Sequence, residues 1–201
     1  GCAAVVDFFD GFVARLMKAD SAMGKELDSL ADVVSFGAAP AIIVYQFLRL
    51  SFAQQADGID ISVWWLLPAF ILPCAAAYRL ARFNLDTTPS FGFKGLPVPA
   101  AGLFIASFPL IYWNSGTTPW IVQTLISKWF WYAVILGVSY LMISTLPMMA
   151  LKFKDFSVKN NVVKYVLVVL AAVLAFILGW QSIPIIFFVY VVLSLVTHKS
   201  A

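Results

Sequence analysis

The sequence predicts an all-α integral membrane protein, a polytopic helical bundle of about seven spans. Three observations predict it. Hydrophobic residues make up 62% of the 201-residue chain and charged residues 11%, with a mean hydropathy of +0.92. A soluble domain carries about 25% charged residues, and a chain of this length cannot bury so much apolar side chain, so the excess faces lipid. Apolar runs of nearly the length that crosses a hydrocarbon core recur along the chain, separated by clusters of Gly, Pro, Asn and charge. The basic residues, finally, are sorted between alternate connections. Together these exclude a nucleic-acid-binding domain, a disulfide scaffold, a disordered chain and an ordinary soluble enzyme.

The breaks leave spans near 1–17, 31–54, 62–83, 98–114, 129–150, 162–180 and 183–197. The first ends at the charges beyond Leu16, and Asp28 and Asp32 mark the entry to the second. A short mixed stretch from Pro119 to Lys128 reads as an interfacial lead-in to the fifth. The last two spans are joined so tightly around Trp180 to Pro184 that they form a hairpin. No connection is long enough for a second domain and there is no internal repeat, so 1–201 reads as one transmembrane domain. Cys2 and Cys74 sit in apolar surroundings and read as small membrane residues, not a disulfide pair. His198, the single histidine, reads as a solvated tail residue.

Arg15, Lys18 and Lys25 lie between the first two spans, and Arg79, Arg82 and Lys94 between the third and fourth. Lys152, Lys154, Lys159 and Lys164 lie between the fifth and sixth, and Lys199 follows the last. Connections 55–61, 115–119 and 181–182 hold no Lys or Arg, so eleven of the thirteen basic residues share one side, with Arg49 and Lys128 as exceptions. The positive-inside rule makes that side cytoplasmic. The first span then runs inward from Gly1 with no signal peptide before it. An earlier helix is expected ahead of it, and the chain is expected to lack its native N-terminus.

Six of the ten acidic residues fall between positions 7 and 32. Asp7 and Asp10 lie inside a span, where charge is costly and functional by default. Their i,i+3 spacing puts them on one helix face, and Gly11 and Ala14 continue that stripe with almost no side chain. Asp28 and Asp32, at i,i+4, also share a face. Two antiparallel helices joined by a short turn can point both pairs at one another. Four clustered carboxylates without a cation would repel, whereas hard divalent ions make them oxygen ligands. Two such ions can clamp a phosphoryl group in an in-line displacement. The lack of nearby His and Cys argues against Zn²⁺ and copper. Arg15 and Lys18 could meet further phosphate charge. Read residue by residue, Asp28 and Asp32 could equally cap the second span, with Arg15 and Lys18 as topology signals. A cation-coupled transporter also uses intramembrane carboxylates and is the rival from another class.

The run Asp7-x2-Asp10-Gly11-x2-Ala14-Arg15-x8-Gly24-x3-Asp28-x3-Asp32 resembles the complete signature of the CDP-alcohol phosphatidyltransferases, matching eight fixed positions within 26 residues. The resemblance implies a membrane-embedded helical fold whose first helix, normally ahead of the motif, is missing here. It implies transfer of a phosphatidyl or similar group from a CDP-linked donor to an alcohol, with release of CMP. Asp7, Asp10, Asp28 and Asp32 would then bind two divalent cations, Mg²⁺ or Mn²⁺, and Asp32 would be the general base. Gly11, Arg15, Ser21 and Gly24 would contact the CDP part of the donor. Residues 1–114 would carry catalysis and 115–201 would add further spans.

Leu27 to Pro40, Tyr78 to Asn84 and Phe93 to Gly102 resemble the membrane-integral phosphatidylserine synthase branch of that family. That branch implies CDP-diacylglycerol as donor and L-serine as acceptor. Serine brings a carboxylate, and Arg79, Arg82 and Lys94 are the cations at hand. Arg79 and Arg82 share a helix face at i,i+3, where they could also merely snorkel to the interface. Glycerol 3-phosphate or inositol phosphate, as acceptors of a sibling enzyme, would use the same cations. The stretch 162–197 is read as uniformly apolar, without polar site residues, and free to pack on a second protomer. The family resemblance implies a homodimer in the cytoplasmic membrane, its site facing the cytoplasm and no nucleic acid among its partners.

Overall fold

A computed structural model describes residues 22–54, 61–85, 93–115, 118–149 and 161–198. The expected first span, with Asp7, Asp10, Gly11 and Arg15, lies outside the described residues, as does Ser21. The chain runs through α1 (Ala22–Asp32), a π-helical segment (Val33–Ala38) and α2 (Ala39–Ala53) as one unbroken rod. Two 3₁₀ turns, Val63–Trp65 and Leu67–Phe70, lead into α3 (Ile71–Leu85). Then follow β1 (Phe93–Lys94), α4 (Val98–Asn114), α5 (Pro119–Leu125), α6 (Lys128–Ile143), β2 (Pro147–Met148), α7 (Val162–Leu178) and α8 (Ser182–His198).

Proline sets several of these starts. Pro40, Pro68, Pro99 and Pro119 sit in the first turn of their helices, where a missing N–H costs nothing and a fixed φ favours helix. The lead-in expected from Pro119 is α5, bent by 64° from α6. The hairpin expected at Trp180 also forms. Helical character persists from Val162 to Thr197, but Gly179 takes φ 54° and the two halves pack on each other.

Among the described residues, Glu26–Ala53 and Val162–Thr197 are apolar helical stretches long enough to cross a membrane, with the bent pair α5–α6 as a third. The described residues therefore support an all-α membrane protein and do not establish seven spans. The expected third span begins as 3₁₀ turns around Pro68, and the fifth stops at Ile143, short of residue 150.

The core is aromatic and joins four helices. Trp131 of α6 is fully buried, stacks on Phe47 of α2 at 4.6 Å and meets Phe108 of α4 edge-on at 5.3 Å. Its indole Nε1 donates to the Leu125 carbonyl at 2.7 Å, which satisfies the end of α5. Phe104 of α4 stacks on Phe187 of α8 at 4.2 Å. Outside this knot the surface is apolar, to the extreme of Phe176 at 94% exposed, which suits lipid contact.

Helix association in lipid relies on close packing, because lipid tails are as apolar as the side chains they would release. Gly102 of α4 provides such an approach. A Cβ there would lie 2.9 Å from Phe36 in the π segment. The two short strands pair antiparallel, Phe93 with Met148 and Lys94 with Pro147. Gly95, just after β1, has φ +79° and no space for a side chain. Its Cβ would fall 2.6 Å from the Met142 carbonyl oxygen and 2.7 Å from that of Ser144.

Two substitutions test this packing. Gly102→Val is expected to lower stability by about 1–3 kcal/mol through overpacking against Phe36. Gly95→Ala is expected to cost more, since it adds backbone strain of about 1–3 kcal/mol to two backbone clashes. Thermal unfolding of the purified variants in detergent checks both; a Gly95→Ala midpoint equal to the parent would refute the second.

Candidate active site

The described part of the acidic motif lies on α1. Gly24, Asp28 and Asp32 follow one another at i,i+4 along an α-helix that is regular through Asp32, so they form one stripe. Gly24 and Asp28 are exposed and Asp32 is half-buried. Immediately after Asp32 the backbone widens: the Ala39 N–H bonds the Val34 carbonyl, five residues back. Such π turns concentrate at functional sites. This one rotates the residues that follow, so that Phe36 and Gly37 bury against α3 and α4 while the aspartates keep an accessible face.

Helix α3 brings the expected acceptor residues to the same end. Asn84 donates from Nδ2 to Ser29 Oγ at 2.9 Å, tying the end of α3 to the motif helix beside Asp28. Arg79 is only 5% exposed, so it does not snorkel to the surface. Its guanidinium lies 5.2 Å from the Phe83 ring centroid and within Coulombic reach of Asp32 and Tyr190. The Asp32 charge offsets part of the cost of burying that guanidinium.

Arg82 behaves differently. Its Nη1 donates to the Ile143 carbonyl at 2.6 Å, and its Nη2 to the carbonyls of Ser144 at 2.8 Å and Lys94 at 3.3 Å. Although Arg79 and Arg82 lie one helical turn apart, they therefore serve different surroundings. Lys94 is exposed on β1.

The stretch 162–197 is not free of polar contacts. Tyr190 and Ser194, at i,i+4 on α8, reach the same junction. The Tyr190 hydroxyl donates to the Met149 carbonyl at 3.0 Å, and Ser194 Oγ accepts from the Met149 N–H at 3.2 Å. Helix α8 also packs on α4 and β2, which leaves α7 at the periphery of the described residues. The sequence signal for this pair was available: two hydroxyls one turn apart inside an apolar span. Asn84 lay within a stretch already singled out, yet its bond to Ser29 could not be read from spacing. The two basic residues that break the sorting, Arg49 and Lys128, belong to the other end. Lys128 Nζ sits 4.9 Å from the Phe52 ring, and Arg49 is about 25 Å along the rod from Asp32.

Among the described residues no three His, Cys, Asp or Glu side chains come together as a metal site. Asp28 and Asp32 suit a hard divalent cation, since they offer only carboxylate oxygens, one turn apart on an open face. Their expected partners, Asp7 and Asp10, lie outside the described residues.

A CDP-alcohol phosphatidyltransferase family model matches residues 1–138. A protein of Helicobacter pylori named CDP-diacylglycerol–serine O-phosphatidyltransferase is 31% identical over 199 residues, covering 96% of this chain and 74% of its own length. Proteins of the same name from Mycobacterium leprae and Methanocaldococcus jannaschii are 36% and 39% identical. They match 73% and 52% of this chain, which spans 46% and 45% of their lengths. With its family match over more than half the sequence and its aspartate stripe set against a buried arginine, the chain belongs to the CDP-alcohol phosphatidyltransferase family.

Proposed function

We propose that this protein transfers the phosphatidyl group of CDP-diacylglycerol to the hydroxyl of L-serine, giving phosphatidylserine and CMP. The observation that carries the reading is the burial of Arg79 on α3, which packs on the motif helix α1 that ends at Asp32. A hydroxy acid needs a base for its hydroxyl and a cation for its carboxylate, and this pair offers both on adjoining elements. The relatives' shared name supports serine over glycerol 3-phosphate or inositol phosphate.

In this reading Asp32 accepts the proton of the serine hydroxyl as that oxygen bonds to the phosphorus bearing diacylglycerol. The bond from that phosphorus to the oxygen of CMP breaks, and CMP leaves with the electron pair. Arg79 holds the serine carboxylate and orients the hydroxyl towards phosphorus, with Lys94 assisting at the rim; positioning of this kind offsets the weak basicity of a carboxylate. Gly11, Arg15, Ser21 and Gly24 hold the CDP part, Gly24 leaving open space on the α1 stripe beside Asp28. Asp7, Asp10, Asp28 and Asp32 would hold two divalent cations, Mg²⁺ or Mn²⁺, which when bound supply positive charge to the pyrophosphate and the departing CMP.

We place the protein in the cytoplasmic membrane with the Asp32 end facing the cytoplasm. The clustering of Arg79, Arg82 and Lys94 at that end supports this orientation. A homodimer through the outward face of α7, where Val166, Val169, Val173 and Phe176 are exposed, fits a surface that no other described helix covers. Residues 1–201 act as one unit, since α6 and α8 reach the junction beside the motif helix.

Purified protein in detergent or nanodiscs is expected to release CMP from CDP-diacylglycerol only when serine and Mg²⁺ or Mn²⁺ are present. Release supported by glycerol 3-phosphate or inositol phosphate instead would reassign the acceptor. Cation flux into vesicles without any CMP release would replace the enzyme with a transporter. Asp32→Asn is expected to lower kcat at least about 100-fold, the usual contribution of a general base. CDP-diacylglycerol binding by that variant should stay within about threefold of the parent if the base role is right.

A further inference from the structure

We infer that Arg82 is a positioning residue: it clamps the C-terminal end of α6 and the Lys94–Gly95 turn onto α3, and leaves the substrate carboxylate to Arg79. The inference rests on the proposed reaction for its kinetic part and on hydrogen-bond geometry alone for the rest.

Helix α6 stops at Ile143, with Ser144 and no glycine at its C-terminal boundary. The last turn of a helix leaves carbonyls unsatisfied and carries partial negative charge. Around this end the acceptors are taken up one by one. Ser144 N–H returns to the Tyr140 carbonyl at 2.8 Å, and the Leu141 carbonyl accepts from Leu96 N–H and Ser144 Oγ, each at 2.9 Å. The carbonyls of Ile143 and Ser144 are met by the two terminal nitrogens of Arg82.

Those two nitrogens are the fork with which an arginine grips a carboxylate in bidentate fashion. Here the fork is already filled by backbone, and Nη2 also reaches the Lys94 carbonyl. Gly95 lies against the same nitrogen: a Cβ at Gly95 would stand 3.1 Å from Nη2. The Gly95 N–H then bonds the Leu146 carbonyl at 2.8 Å, closing the turn onto the chain that leaves α6. One guanidinium thus joins α3, the turn after β1 and the end of α6, and it fixes where the Lys94 side chain starts.

The test compares Arg82→Met, Arg82→Lys and Arg79→Met in the purified protein, using two readouts. In Arg82→Met, amide hydrogen exchange at Gly95 and Leu96 is expected to speed up at least about tenfold, because the Leu141–Leu146 segment that carries their acceptors loses its anchor at Ile143 and Ser144. The KM for serine should stay within about twofold while kcat falls about tenfold or more, equally for serine and for an amino alcohol lacking a carboxylate. Arg82→Lys should recover part of both, since an ammonium can reach one or two of the three carbonyls; it also serves as the informative variant if Arg82→Met does not fold. Arg79→Met should do the reverse, raising the serine KM about tenfold with Gly95 and Leu96 still protected. A raised serine KM in either Arg82 variant with unchanged exchange at those amides would overturn the inference and make Arg82 a substrate ligand. Absence of serine-dependent CMP release in the parent would refute the proposed reaction, while the exchange readout would still decide the clamp.

Discussion

Where α6 stops at Ile143, the carbonyls of Ile143 and Ser144 lie past the last helical bond and need a donor from elsewhere. The protein meets this constraint with a cation from another helix, and much of its architecture follows from doing so. Once Arg82 reaches the end of α6, α3 and α6 must lie side by side, and the turn at Gly95 must come close enough to share the same nitrogen. That proximity leaves no volume for a Cβ, so the turn is glycine. The short strand pair and the contacts of Tyr190 and Ser194 with Met149 then settle the segment that leaves α6 against α8. A single unsatisfied helix end has drawn four separate parts of the chain to one place.

Arg79 owes its usefulness to the same arrangement. With Arg82 occupied by backbone, the two arginines divide the work that equal spacing on one face would have suggested they share. Arg79 stays buried beside the motif helix, where the low dielectric strengthens its interaction with Asp32. In water an isolated pair of this kind would contribute little. The π segment contributes to the same geometry from the other side. It turns Phe36 and Gly37 inward for packing without disturbing the straight line of Gly24, Asp28 and Asp32.

Much of this was legible in the sequence. The i,i+4 spacing of Asp28 and Asp32 requires only that the segment be helical, and it is. Pro119 announced the start of α5, and the shortness of the connection at Trp180 announced the hairpin; the interruption at Pro68 ahead of α3 falls within a stretch that reads as one continuous span. The π widening left no signal, because no residue type in Val33 to Ala38 distinguishes π from α hydrogen bonding. The early end of α6 was obscured by the hydrophobic residues that continue past it: Leu146, Met148 and Met149 prolong the apolar run while the backbone has already left the helix. The assignment of Arg82 depended on partners more than 60 positions away. Tyr190 and Ser194 did carry a signal, two hydroxyls one turn apart, but their moderate polarity averages out within a strongly apolar stretch.

The ties from the motif region to Met149 and Tyr190 bear on how the protein is made. The helix carrying Asp28 and Asp32 leaves the ribosome long before α6, β2 and α8 exist. At about 5–20 residues per second, roughly 10 to 30 s separate the synthesis of Asp32 from that of Tyr190. During that interval Arg79 and Arg82 enter the bilayer without the carbonyls and hydroxyl that later surround them. Until α6 has been made for Arg82, and the C-terminal hairpin for Arg79, these cations must be kept solvated by the insertion machinery or by lipid phosphates, so assembly of the site is among the last events of biogenesis.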